Sequence, residues 1–451
     1  MTAPDITFGV ELEFIALYKL AGDEEPSGTL VGETIYNRLL AAGIPAVGYE
    51  SLDGDINDTA PSYSRWRVET DDVDLKPDER KLLPEGWYEE PIELVSRKLH
   101  INDPNCINEI ATVLQALRSI EGVDCRFVTN VQAGLHVHMG WNDEKIPLRV
   151  AKNVLQLCTA FERQLDQIHS TDRINNRSCR ALSLFHMKQI DGDEDGNENR
   201  ESKKKDNFLL SNLYDIETLD SYKAIVNFDN LWWNWKEVDE NAPITGTIEF
   251  RQHAGSLDLA AIRNCIALTS TIVHYSASTP PLHFVQLLLK GLDTTFTLRQ
   301  LLQCLGCHED LITYYSSLPR PRSTSNPPPR CPEISTLLAH LDASHQKHRD
   351  PTAIAELIAE KVEVWQYGVL PEGDVLIELE NFDLRAHLVG ALKDTPAYLS
   401  NGGQATDKAV DEAREEALRV LARCYTVDAY AVGREGTLGD LREWDGRRSR
   451  S

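Results

Sequence analysis

Hydrophobic and polar positions alternate with period 2 in three short stretches of this chain, and each time the polar face carries ionisable groups. Residues 8–14 read F-G-V-E-L-E-F, with Val10, Leu12 and Phe14 on one face and Glu11 and Glu13 on the other, as in a half-buried strand. Residues 134–140 read G-L-H-V-H-M-G and set His136 and His138 opposite Leu135, Val137 and Met139. Residues 246–254 read G-T-I-E-F-R-Q-H-A. As a strand this segment turns Ile248 and Phe250 inward and projects Glu249, Arg251 and His253 together.

The intervening pattern predicts a helix from about 29 to 42, stopped by Gly43-Ile44-Pro45, and strands near 65–70 and 88–96. Asp103 reads as an N-cap with Pro104 at the first helical position, opening a helix to about 119. Strands near 126–130 and 134–141 follow. Pro147 then opens a long amphipathic helix to about 169, with Val150, Val154, Leu157, Phe161 and Leu165 on one side. The strand at 246–253 leads into a helix over 258–277. Hairpin-like strands alternating with backing helices imply an α+β fold: a curved antiparallel sheet backed by helices, with a site on its concave face. Past residue 280 the signals are helical periodicity at 333–345, 352–367 and 408–424, a short strand at 375–379 and a proline-rich linker at about 319–332. The expected organisation is a main domain over 5–280, a mainly helical extension over 281–440 and a disordered tail over 441–451.

Composition narrows the function classes. A formal net charge of −25 over 451 residues argues against nucleic-acid binding, which needs a basic patch, and against an anionic membrane surface. No run approaches ~20 apolar residues and no secretory signal opens the chain, so a cytoplasmic location and nine unpaired cysteines are expected. Two motifs mislead. Cys304-Leu305-Gly306-Cys307-His308 spells a haem-attachment pattern, yet it continues an amphipathic helix; a zinc site with Cys331 is the other reading. Residues 191–197 imitate the start of a calcium loop, but Ser202 stands where the loop requires Glu. The cluster Trp232-Trp233-Asn234-Trp235 reads as core packing, with a platform for an aromatic substrate as the alternative.

Taken singly, a Glu-x-Glu strand is a solvated face, a His-x-His strand a buried pair, and Glu-x-Arg an ion pair. Three such strands with apolar backs are better explained by one shared site. Two carboxylates roughly 7 Å apart on one strand face repel unless a cation lies between them. Oxygen-rich ligation with an occasional imidazole suits Mg²⁺ or Mn²⁺. A guanidinium among these groups suits a metal-bound polyphosphate.

The order of the segments resembles the glutamine synthetase-like amidoligase family. The matching pieces are F-G-V-E-L-E-F, W-R-V-E-T-D (residues 66–71), P-I-E-L-V-S (91–96), G-L-H-V-H-M-G and G-T-I-E-F-R-Q-H (246–253), followed by Gly255-Ser256-Leu257-Asp258. The resemblance covers about residues 5–280, which makes that region an amidoligase-like catalytic domain. It implies that Glu11, Glu13, Glu93, His136 and Glu249 are metal ligands, and that His138 and Arg251 approach the nucleotide phosphates. Arg251 would bind the transferring phosphoryl group, while Asp71 or Glu93 would handle the amine. Arg173 and Arg177 would also reach phosphates, unless they cap a helix C-terminus. Val73, Pro91 and Arg97 depart from the family pattern beside the acceptor region.

The expected activity is therefore an ATP- and Mg²⁺-dependent ligase that forms an amide or peptide-like bond between a small-molecule or peptide carboxylate and an amine. It would work through an acyl phosphate and release ADP and phosphate. Two alternatives stand beside it: a metal-dependent hydrolase built on the His-x-His strand, and a catalytically degenerate binding scaffold of the same fold.

Overall fold

The computed structural model describes residues 5–20, 30–48, 63–142, 144–174, 179, 182, 224–228, 231, 246–291, 295–317 and 332–367. Their strands are β1 (Ile6–Lys19), β2 (Ala46–Val47), β3 (Trp66–Glu69), β4 (Trp87–Val95), β5 (Leu99–His100), β6 (Cys125–Val128), β7 (Gly134–Trp141), β8 (Val226–Asn227) and β9 (Ile248–Ala254). They form one sheet in the order β2-β3-β4-β1-β7-β9-β8, with β5 and β6 also paired to β1. The long strand β1 is its spine. Every pairing is antiparallel except β2–β3, which is parallel. The sheet is therefore mixed, where the alternation predicted antiparallel pairing throughout. Residues 48–65 leave enough chain for the crossover that a parallel neighbour needs.

One face of the sheet carries the main core. On β1 the even-numbered Ile6, Phe8, Val10, Leu12, Phe14, Ala16 and Tyr18 all belong to it. Helices α1 (Leu30–Ala41) and α3 (Cys106–Ile120) pack on each other on this side; α2 (Pro77–Arg80) is a single turn that contacts the helix Ser335–Lys347. Farther along, α4 (Leu148–Ala160) packs against the long helix Leu259–Ser278. Fully burying one such aliphatic or aromatic side chain stabilises the fold by about 1.5–3 kcal/mol, and this apolar layer is what allows the other face to carry charges.

Two helix boundaries differ from the periodicity. Asp103 caps only a turn, accepting from the Asn105 amide at 2.9 Å, and α3 begins at Cys106 after an Asn105 N-cap. The long helix predicted from 147 breaks at Phe161 (φ −116°, ψ 19°), where the buried ring packs on Phe296 with centroids 5.7 Å apart. It resumes as α5 (Glu162–Asp166) and α6 (Thr171–Ile174).

After α6 come α7 (Leu259–Ser278), α8 (Pro281–Lys290), α9 (Leu298–Cys304), α10 (Glu309–Ser316), α11 (Ser335–Lys347) and α12 (Pro351–Tyr367). The second face of the sheet is divided. Thr7, Gly9, Glu11 and Glu13 form its polar half. Ile15 and Leu17 continue the same face into a smaller apolar cluster with Val73, Leu75, Trp87, Ala133, and Ile334, Leu337 and Leu341 at α11. His345 on α11 bonds the Thr129 carbonyl at 2.7 Å. Residues beyond 280 thus build one wall of the face that carries the charges.

Candidate functional site

Strand register brings the ionisable groups together. Across β1, Glu13 lies opposite Glu93 of β4, and Glu11 opposite His136 of β7. Glu69 of β3 lies opposite Glu93, and His138 opposite Glu249 of β9. Directly opposed residues of an antiparallel pair point to the same face, so carboxylates and imidazoles from five strands converge.

Glu11 is at the centre. One oxygen lies 2.9 Å from His136 Nδ1 and the other 2.8 Å from His138 Nε2. His136 Nε2 is 3.2 Å from Glu13, and its Nδ1 is 3.4 Å from Glu249. Glu249 is paired with Arg251 and accepts 2.8 Å from Asn227 Nδ2. Thr247 Oγ1 bonds His138 Nδ1 at 3.2 Å. The Gly134 amide donates 2.6 Å to Glu13. Two donor groups sharing Glu11 have their ligand atoms within 4.8 Å of one another: Glu11, Glu93 and His136, and Glu11, His138 and Glu249. Such oxygen-rich sets with one imidazole each suit a hard divalent cation.

The electrostatics are those of buried carboxylates crowded against one another. Burial, followed by Glu11, Asp71, Glu13 and Glu69, pushes the Glu93 carboxyl up to about 10. Burial and then Glu13 raise Asp71 to about 6. Burial works against ionisation of Glu11 as well, but His138 and hydrogen bonds to both imidazoles prevail and hold it well below the usual range. Burial likewise opposes a charged His138, yet Glu11 and Glu249 lift it to about 9.

Asp71 follows β3 on a loop fixed from several sides. Val73 and Leu75 are buried in the smaller cluster, and Asn130 Nδ2 donates 2.8 Å to the Asp74 carbonyl. Asp71 Oδ2 is buried with no hydrogen-bond partner among the described residues. Val73 is thus a packing residue, and Arg97, another departure from the family pattern, forms a two-bond ion pair with Glu109 at 2.8 and 2.7 Å.

The structure corrects one expectation and moves another. The β7–β9 ladder shifts register between Leu135 and Val137, a bulge that breaks strict alternation. His253 therefore lies opposite Leu135, a member of the main core. Its ring meets His169 edge-on at 6.1 Å, away from the face of Glu249 and Arg251. Burial lowers it to about 4. Arg173 was expected at nucleotide phosphates or as a helix C-terminal cap. It is 1% exposed, and its guanidinium donates to the carbonyls of Arg251 at 2.6 Å and Gln132 at 3.4 Å. Arg177, the Trp232–Trp235 cluster, Cys331 and the acidic loop at 191–197 lie outside the described residues. His308 N-caps α10 through Nδ1, 3.3 Å from the Asp310 amide.

Three neighbours of the site escaped the sequence reading. Glu69 was legible, because Arg67, Glu69 and Asp71 alternate within the W-R-V-E-T-D segment. Thr247 lay within a quoted motif without a role. Asn227 sits on a two-residue strand, too short to leave a periodic signal.

No curated protein matches the chain. Among solved structures, a bifunctional glutathione synthetase from Pasteurella multocida aligns at TM-score 0.28 and 10% identity, over 95% of this chain and 52% of that one. The chain thus spans about half the length of that protein. A chain from the complex between the prokaryotic ubiquitin-like protein Pup and its ligase PafA aligns at TM-score 0.26 and 12% identity, over 96% of this chain and 84% of that one. No helix among the described residues is long and apolar enough to cross a membrane. The family described as putative amidoligase enzyme matches residues 4–273, more than half of the sequence, and the chain belongs to that family.

Proposed function

We propose that this protein is an ATP- and Mg²⁺-dependent ligase that joins a carboxylate to an amine through an acyl phosphate. Mn²⁺ is the alternative ion, and the carboxylate belongs to a small molecule or a peptide. The observation that carries the reading is the pair of three-residue donor groups sharing Glu11, beside the Glu249-paired guanidinium of Arg251. Glu11, Glu13, Glu93, His136 and Glu249 would hold the divalent ions, whose contribution is to neutralise charge on the phosphoryl oxygens.

In the first step a substrate carboxylate oxygen attacks the γ-phosphorus of ATP, and ADP leaves. Arg251 faces the transferring phosphoryl group and offsets the negative charge that develops there, while His138 lies toward the phosphates. In the second step the amine nitrogen attacks the acyl carbon, phosphate leaves with the electron pair of the broken C–O bond, and the nitrogen loses a proton. Asp71, raised to about 6 by burial and Glu13, has a buried oxygen without a partner among the described residues and is suited to take that proton. Glu93 is the second group suited to hold the amine. The acidic surroundings favour a cationic amine over an anionic nucleophile.

The test is trapping. Purified protein is incubated with Mg²⁺, ATP, hydroxylamine and pools of candidate carboxylates, and hydroxamate and ADP are measured. Carboxylate-dependent hydroxamate with equal ADP, absent in Glu249→Gln, is the expected result. AMP in place of ADP would sink the acyl-phosphate mechanism. Metal-dependent hydrolysis of a pool member without nucleotide consumption would favour the hydrolase reading.

A further inference from the structure

Arg173 is among the largest fully buried side chains of the protein. A buried guanidinium must find partners or it destabilises the fold, and among the hydrogen bonds of this one two backbone carbonyls stand out. Gln132 O belongs to the turn that leads into β7. Arg251 O lies on β9, beside the register shift that interrupts the β7–β9 ladder. A planar fork reaches two carbonyls on different segments at once; an ammonium is a single point.

The place where the fork sits is crowded. A Cβ on Gly134 would lie 2.5 Å from His136 Nε2 and 2.9 Å from Arg173 Nη2. The absence of a side chain there lets the imidazole and the guanidinium both press on the start of β7. The amide of the same glycine holds Glu13. One small region therefore joins Glu13, His136, Arg173 and, through its carbonyl, Arg251. Arg173 is itself anchored, because Thr171 on the same short helix donates from its amide to the His348 carbonyl at 2.7 Å and from its hydroxyl at 3.0 Å.

We infer that Arg173 is a positioning residue that clamps the bulged part of β9 to the turn before β7, and so sets where Arg251, Glu249 and His136 stand. The anchor at His348 belongs to the segment beyond the family match at 4–273, which gives that segment a part in shaping the site. The inference rests on the proposed reading of Glu249 and His136 as metal ligands, and its test separates the two.

The full-length protein, Arg173→Lys and Arg173→Met are titrated with Mn²⁺, with and without ATP, by electron paramagnetic resonance of the free ion. Urea melts report stability. Hydrogen exchange in peptides spanning 130–136 and 248–254 reports the clamp without metal. The clamp predicts that affinity for Mn²⁺ alone falls about 10–100-fold in both variants, as for loss of an outer-shell partner. It also predicts that the further tightening by ATP keeps its wild-type ratio, and that exchange rises in those two peptides ahead of the rest of the sheet. Unchanged Mn²⁺ binding with lost tightening by ATP overturns it in favour of a direct phosphate contact. Unchanged binding of both, with only a lower urea midpoint, overturns it in favour of a purely structural arginine. Should Arg173→Met not fold, Arg173→Lys carries the same comparison. If the wild type binds no Mn²⁺, the metal reading falls and exchange alone decides the clamp: a rise confined to the two peptides supports it, while a uniform rise or none overturns it.

Discussion

Glu11 and His138 sit on adjacent strands with carboxylate and imidazole 2.8 Å apart, and Glu11 reaches His136 with its other oxygen at 2.9 Å. No other residue belongs to both donor groups found among the described residues. Glu11→Gln keeps the shape but removes the charge that both groups share. Divalent-ion binding by calorimetry should weaken by more than the about 100-fold that loss of an outer-shell partner costs, with hydroxamate formation lost. Retained affinity would show that the cation sits elsewhere.

Asn227 supports the site from the far edge of the sheet. It is buried and donates 2.8 Å to Glu249. Asn227→Ala should lower the urea-unfolding free energy by about 1–3 kcal/mol, the cost of leaving a buried acceptor unmade. It should also weaken Mg²⁺ binding about 10–100-fold. A stability loss with full Mg²⁺ affinity would confine Asn227 to packing.

The carboxyls of Glu93, near 10, and Asp71, near 6, are raised in the folded chain by burial and by neighbouring carboxylates. Unfolded, they titrate near about 4. Between these limits the folded state binds more protons at these two groups, so their contribution to stability is fully present at low pH and is lost as pH rises toward that of Glu93. His138, raised to about 9 after burial is overcome by Glu11 and Glu249, adds a loss of the same sign as it deprotonates. A cation bound to Glu93 displaces a proton, so binding should tighten with pH. The Mg²⁺-induced rise in melting temperature should grow from about pH 6 to about pH 9; a rise that shrinks over that range contradicts the assignment of Glu93 as a ligand.

Leu337 on α11 is fully buried against the site-bearing face beside Ile15 and Leu17. Leu337→Ala should cost about 2–5 kcal/mol. Because the same cluster holds Val73 and Leu75, exchange should rise in the loop carrying Asp71 before the rest of the sheet opens. A cost below about 1 kcal/mol would mean that the extension merely rests on the sheet.

The sequence by itself determined the longer strands and, on β1 and β7, which residues share the polar face. Period-2 alternation is a local property of the backbone, so Glu11 with Glu13, and His136 with His138, could be paired from their spacing alone. It also placed Glu249 and Arg251 correctly beside one another. Only the tertiary structure decided how the strands line up, because register depends on partners distant in the chain. A one-residue shift between β7 and β9 sends His253 to the core side. Arg173, read from the sequence as a phosphate contact or a helix cap, is buried and bonds the carbonyls of Arg251 and Gln132, contacts that no spacing pattern shows. The two-residue strand with Asn227 and the packing of α11 on Ile15 and Leu17 come from the same source. They are long-range contacts, formed because a buried acceptor needs a donor and an apolar strand end needs cover, whatever their separation in sequence.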